Sequence, residues 1–358
     1  MNKTLKKFGG VLLGAVMLLS SLAGCGSTST PVDADSNGTS GSAPETQAIT
    51  LKMSTAQPEE HIASQTALRF ARLVEEATGG EVKIKMYFAN SLGAQDVITQ
   101  GLMDGSIDLS LEFIDSTYNP VFEVQSLPFI ASNYQEMEYL FSPGSEMYSI
   151  VEAGFKDIGI QLLGIYCEGL TGISCKNKPE SYNTLDPKSE PIRVWNSSVA
   201  KDGMTAMGYN TVAMTWSDTY SSIQTGIVNG SVGQTALGVY SNLRDVVNYF
   251  IPYNFSAEFV HLCMSDKTYQ SLTTEQQQAI QDAAGQVCQE IFDTAGQTEA
   301  EGLAQLESTD IEILNLTDEE RGTIADYVRK TVWPSQEDAL GQDVMNAVYA
   351  DLEACASQ

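Results

Sequence analysis

From Ile49 onward the apolar residues switch repeatedly between a two-residue and a 3.6-residue period, which restricts this chain to sheets covered by helices. Ile49–Ser54 reads as a strand. His61–Ala77 then places Ile62, Phe70, Leu73, Val74 and Ala77 on one helical face and stops at Gly79-Gly80. Val82, Ile84, Met86 and Phe88 alternate with Lys83, Lys85 and Tyr87, as in a strand with one buried face. A turn at Asn90–Gly93 leads into a helix through Val97, Ile98 and Leu102, and Ile107, Leu109, Leu111 and Phe113 alternate with Asp108, Ser110 and Glu112. The order is β-α-β-α-β, an α/β plan.

The second half predicts the same plan: a strand at Ile192–Asn196, a helix at Ser198–Met207 stopped by Gly208, a strand at Thr211–Thr215 and a Ser-capped helix at Ser217–Gly226. Gly101–Ile107 aligns without gaps on Gly226–Val232, each Gly-apolar-apolar-Asp/Asn-Gly-Ser-apolar. Two related lobes would produce this, and so would a shared way of turning a helix into a strand. Beyond Thr273 the chain becomes helical. Thr274–Gln277 reads as a capping box opening a helix that runs past Glu301, and Thr317–Glu320 opens another. More than 30 helical residues would span roughly 45 Å, enough to cross both lobes.

Residues 1–24 stand apart. Lys3, Lys6 and Lys7 precede an apolar stretch, Val11–Leu22, that is short for a bilayer span, the pattern of an export signal. It ends in Leu22-Ala-Gly-Cys25, similar to the lipobox of bacterial lipoproteins, so Cys25 is the expected lipidation site and a lipid anchor the expected tie to the membrane. Residues 25–48 are rich in Ser, Thr, Gly, Pro and Asp and read as a flexible tether. Within it, Asp33–Gly38 imitates the start of a calcium loop, but Pro44 stands where the bidentate Glu is needed. The remaining Cys167, Cys175, Cys263, Cys288 and Cys355 are odd in number, so at least one is unpaired; a Cys167–Cys175 bridge and buried thiols are both open readings.

Charge excludes one function class. With 46 Asp and Glu against 19 Lys and Arg, the chain carries a formal charge of −27 and would repel nucleic acid. Removing residues 1–24 makes it more negative still. The two histidines, His61 and His261, lie far apart in sequence with no ligand at metal-binding spacing. There is no G-x-S-x-G and no phosphate-binding glycine loop, so a surface hydrolase is a poor reading and no cofactor or metal is expected.

Ligands of open α/β sheets bind outside the carboxyl ends of the strands. That rule selects Gln57, Glu112 and Phe113 in the first half, and Trp195, Asn196, Trp216, Ser217, Gly233 and Gln234 in the second. Arg193 is singular, because it alone of the six arginines falls within a predicted strand. Ile192 and Val194 take one face, leaving Arg193 and Trp195 on the other. A guanidinium there is either the anchor of an anionic ligand or half of an interior ion pair joining the lobes.

The chain resembles the DctP-type solute-binding proteins of tripartite ATP-independent periplasmic (TRAP) transporters. The resemblance rests on Gly79–Ile84, Ser91–Gly93, Gly105–Asp108, Leu127–Phe129, Ile192–Val194 and Ile223–Gly226 followed by Val228–Gly230, in that order over nearly the whole chain after the tether. It implies a two-lobe, periplasmic-binding-protein-like α/β fold with a long lobe-crossing helix near the C-terminus. Lobe I would comprise 49–172 plus 259–298, and lobe II 173–258 plus 299–358. A monomer would close over a small organic acid and hand it to the permease subunits of the membrane transporter, or, in the competing reading, present it to a receptor or kinase as a sensor. The resemblance also implies that Arg193 holds the ligand carboxylate and that Trp216 is the aromatic position after the next strand. This chain departs from the family in Asn229–Gln234, where the Asn of the family's D-G-Q-E-N-P stretch is lost and Gln234 is the candidate substitute, and at Gly169-Leu170-Thr171, where many members have an arginine in place of Thr171. With one cation fewer, the expected ligand is an aromatic or aliphatic monocarboxylate, or a keto acid, held by Arg193 with Trp195, Trp216, Gln57 and Gln234 around the rest.

Overall fold

Two mixed sheets organise residues 48–357, the residues that the computed structural model describes; the export signal, Cys25 and nearly all of the tether lie outside them. In chain order the strands are β1 Ile49–Thr55, β2 Val82–Tyr87, β3 Leu109–Glu112, β4 Ile160–Leu170, β5 Gly172–Cys175, β6 Pro191–Val194, β7 Asn210–Ala213, β8 Gly230–Gln234, β9 Tyr249–Ile251, β10 Ala257–Ser265 and β11 Glu312–Ile313. The first sheet runs β2-β1-β3-β10-β4 and the second β11-β9-β5-β8-β6-β7.

The same plan does underlie both. In the first, β1 lies parallel between β2 and β3, and β10 and β4 follow antiparallel. In the second, β6 lies parallel between β7 and β8, and β5 and β9 follow antiparallel. The gap-free alignment of Gly101–Ile107 on Gly226–Val232 is nevertheless out of structural register. The left-handed glycine that ends the helix is Gly105 in the first half, at φ 81°, but Gly226 in the second, at φ 80°. Gly230, aligned with Gly105, lies instead in β8, where a Cβ would come 1.8 Å from the Ser174 carbonyl oxygen. The helix before it is also shorter than expected. Residues 216–218 form a 3₁₀ turn, the α-helix is Thr219–Thr225, and Ser217 does not cap it.

Two extended segments connect the sheets, and they hydrogen-bond to each other. Only Thr171 separates β4 from β5. Its N–H donates to the Ser256 carbonyl at 2.8 Å, its carbonyl accepts from Phe255 N–H at 3.0 Å, and its hydroxyl lies 2.9 Å from that of Ser256, in the segment joining β9 to β10. A third connection is the helix Thr274–Glu307, 34 residues or about 51 Å long, which packs on β4 and on helix Ile62–Ala77 at one end and on helix Ala236–Asn242 at the other. Its cap is Thr273 with Gln276, one residue earlier than the sequence reading placed it, whereas Thr317 and Glu320 form the expected box for helix Asp318–Leu340.

The core is aromatic: Phe70, Phe141, Phe155, Phe250, Phe255, Tyr166 and Tyr253 are fully buried, each contributing about 2–3 kcal/mol of transfer free energy. The five described cysteines are free and buried; Cys167 and Cys175 fall in different sheets and are not bonded. No helix among the described residues is long and apolar enough to cross a membrane.

Candidate ligand-binding site

The two sheets enclose a cavity of about 460 Å³ at the carboxyl ends of β1, β3, β6 and β8, a volume suited to a small organic molecule. Gln57, Glu112, Phe113, Arg193, Trp195, Asn196, Trp216 and Gln234 all line it, with Ser217 and Gly233. The strand-end rule works because side chains leaving a parallel strand at its carboxyl end are not covered by the next helix. Thr171 does not line the cavity. Its backbone and hydroxyl are both committed to the Ser256 segment, so it is a junction residue between the sheets.

Alternation along β6 sends Ile192 and Val194 into the core and Arg193 the other way, still only 4% exposed. The Arg193 Nε donates to the Met214 carbonyl at 3.1 Å, and the guanidinium stands 5.7 Å from the Trp216 ring centre. Among the described residues no carboxylate reaches ion-pair distance of it, so the interior ion pair between lobes does not form. Burial pulls this guanidinium down to about 10, and it remains charged at neutral pH. Its terminal nitrogens are left for whatever enters the cavity.

Trp195 forms part of the wall beside it. The indole N–H donates to the Ser126 hydroxyl at 3.2 Å, and the ring meets Phe255 edge to face at 6.5 Å. Gln234 is buried and its side-chain carbonyl has no partner, while Asn196 is exposed at the rim. Asn229, near the family's usual Asn, is occupied elsewhere, accepting from Asn177 N–H at 2.8 Å and donating back to the Asn177 carbonyl at 2.9 Å.

The first sheet contributes acids. Glu112 is 3% exposed and accepts from the Ser54 hydroxyl at 2.7 Å, and burial pushes its carboxyl up to about 7. Glu168 and Glu258, on neighbouring strands β4 and β10, were missed by the sequence reading. Glu168 accepts from Tyr166 O–H at 3.3 Å and from the Thr235 hydroxyl at 3.1 Å, and Glu258 accepts from Thr235 N–H. Burial, together with the nearby Glu168, raises the Glu258 carboxyl well above the usual range. The missed signal was a lone acid inside an apolar run, Leu162–Leu170 for one and Phe255–Met264 for the other. Phe259 lies tilted at 59° to Phe113, with ring centres 5.6 Å apart, and the two form an apolar patch in the lining.

The two histidines are placed differently: His61 lines the cavity with its Nε2 unpartnered, whereas His261 does not line it. His261 is buried between backbone and side chain: its Nδ1 accepts from Ile114 N–H at 3.2 Å and its Nε2 faces Gln125 Oε1 at 3.1 Å, which makes Nε2 the protonated nitrogen. Burial holds it down to about 3, so it stays neutral. His61 caps helix Ile62–Ala77 through Nδ1. The arrangement is a receptacle with one buried cation, aromatic walls and several carboxyls.

The family model of the bacterial extracellular solute-binding proteins, family 7 (DctP), matches residues 53–336. The chain belongs to that family. An uncharacterized protein of Haemophilus influenzae is 27% identical over 242 residues, which is 67% of this chain and 72% of that protein. The fold is that of solved TRAP solute-binding proteins. One from Sulfitobacter sp. NAS-14.1 with bound β-D-galacturonate has a TM-score of 0.73 at 23% identity, covering 84% of this chain and 99% of that one. The sugar acid binding protein of Advenella mimigardefordensis, in complex with galactonate, has a TM-score of 0.78 at 17% identity, covering 86% and 99%. The two lobes and the long crossing helix expected from the sequence are thus the family's architecture.

Proposed function

We propose that this DctP-family protein captures a small organic acid in the cavity between its two sheets and delivers it to a TRAP-type permease. The observation that carries the reading is Arg193, a buried guanidinium at the end of a strand, open to the cavity and without a carboxylate partner among the described residues. A ligand carboxylate supplies the missing counter-charge, with Trp216 and Trp195 against its body. Solved relatives with bound galacturonate or galactonate support a carboxylate as the shared feature. The expected lobes, 49–172 plus 259–298 and 173–258 plus 299–358, close by rotating about the Thr171 and Ser256 crossover. Cys25 carries the lipid that tethers the monomer outside the cytoplasmic membrane.

Calorimetric titration of the full-length protein against a panel of organic acids tests this. Binding of a monocarboxylate that Arg193→Ala weakens by 2–5 kcal/mol is expected. Affinity that survives the substitution, or a tighter dicarboxylate, overturns it. Scattering profiles that are identical with and without the bound acid would count against closure.

A further inference from the structure

Carboxyls outnumber cations around the cavity. Arg193 is the one Arg or Lys in the lining, whereas Glu112, Glu168 and Glu258 enter from the first sheet and Asp96 and Asp115 stand farther along the wall. A receptacle for a simple carboxylate does not need that wall, and repulsion from it would oppose binding.

The atoms left open are more telling. Both Glu168 oxygens are engaged, by Tyr166 and Thr235. Glu112 has one oxygen on the Ser54 hydroxyl and Glu258 one on Thr235 N–H; the second oxygen of each has no protein partner and is not sealed in the interior. Glu112 is 3% exposed, so its open oxygen faces the cavity, as do the terminal nitrogens of Arg193. Open carboxyl oxygens therefore lie on one sheet and the open guanidinium on the other, and Phe113 and Phe259 line the same cavity. Among the described residues no three His, Cys, Asp or Glu side chains converge as a metal site, so a compact organic cation fits this wall better than a metal ion.

Building on the carboxylate reading of Arg193, we propose that the solute is a zwitterion: its carboxylate pairs with Arg193, and a protonated amine some bonds away is held by the open oxygens of Glu112 and Glu258. Because the two poles are supplied by different sheets, the molecule spans the cavity from one to the other, and its two ends must be separated by several carbons. An α-amino acid, with both charges on one carbon, is a poorer fit than an ω-amino acid. The raised Glu112 and Glu258 carboxyls accord with this: burial disfavours the charged form of each, aided at Glu258 by the nearby Glu168, and an entering cation would offset that cost.

The test is calorimetric titration of the full-length protein with ω-amino acids of three to six carbons, each paired with the monocarboxylate of equal chain length. At least one amino acid is expected to bind tenfold or more tighter than its partner. Glu112→Gln and Glu258→Gln are expected to weaken that amino acid at least tenfold while leaving the monocarboxylate equal or tighter. The opposite signs matter, because a variant that merely disturbs the fold weakens both, and a neutral carboxyl donating to a ligand hydroxyl is reproduced by Gln. If every monocarboxylate matches its amino acid, if no amino acid of the panel binds, or if the preference survives in both Gln variants, the zwitterion is overturned. Carboxylate binding that is indifferent to Arg193→Ala is a different outcome, and it overturns the underlying assignment of Arg193 as well.

Discussion

Gly233 lies against the face of Trp195: a Cβ at position 233 would stand 2.8 Å from the indole Cζ3. The glycine is also at φ 103°, a conformation that side chains with a Cβ rarely adopt. β8 can therefore support the cavity wall only while this residue stays bare. Gly233→Ala is expected to cost about 1–3 kcal/mol of stability through backbone strain and to push the Trp195 ring into the ligand volume. Thermal unfolding and ligand titration should both fall; unchanged affinity would remove Trp195 from the binding wall.

Arg193→Met should separate stability from binding. The buried guanidinium has no carboxylate partner among the described residues, so its desolvation is uncompensated in the empty protein. Chemical denaturation of the ligand-free variant should show stability equal to or above wild type by about 1–2 kcal/mol, while carboxylate binding is lost. A destabilised variant would mean that Arg193 is integral to the fold.

Thr171→Val removes the hydroxyl that meets Ser256 but leaves the backbone pairing of the two crossovers. A loss of about 1–2 kcal/mol is expected, because the Ser256 hydroxyl and the Ser256 N–H, which donates to the Thr171 hydroxyl oxygen, are both stranded. Ligand affinity measured at saturating protein stability should change little, since Thr171 is not in the cavity. A tenfold loss would show that the junction controls closure.

Stability should depend on pH through Glu112 and His261 with opposite signs. Glu112 is raised from its ordinary 4.5 to about 7 by burial, so its neutral form favours the fold; that contribution is complete below about 4.5 and is lost as pH rises through 7. His261 is lowered from 6.5 to about 3 by burial, so its contribution is complete above 6.5 and is lost as pH falls toward 3. Melting temperature of the ligand-free protein should therefore peak in mildly acidic buffer and decline toward pH 8. In Glu112→Gln the decline on the alkaline side should be shallower, and an unchanged profile would refute the role of Glu112.

Much of the site was legible in the residues themselves. The strand-end rule selected Gln57, Glu112, Phe113, Trp195, Asn196, Trp216 and Gln234, and strand position singled out Arg193; all line the cavity, because the rule needs only local periodicity and the direction of each strand. The rule did not select Thr171, which the resemblance brought in at Gly169-Leu170-Thr171 and whose neighbour across the crossover, Ser256, lies far away in sequence. It also passed over Glu168 and Glu258, which meet only because β10 returns antiparallel beside β4.

The alternation of periods determined the α/β class, the repeated strand–helix plan and the face of β6 that carries Arg193, and local motif the box at Thr317–Glu320, since all of these arise from interactions between residues close in the chain. Tertiary structure alone decided which charges are left without partners. Pairing and burial are properties of what comes together in space, and from sequence a buried Glu112 or an unpaired Arg193 looks like any other charged residue.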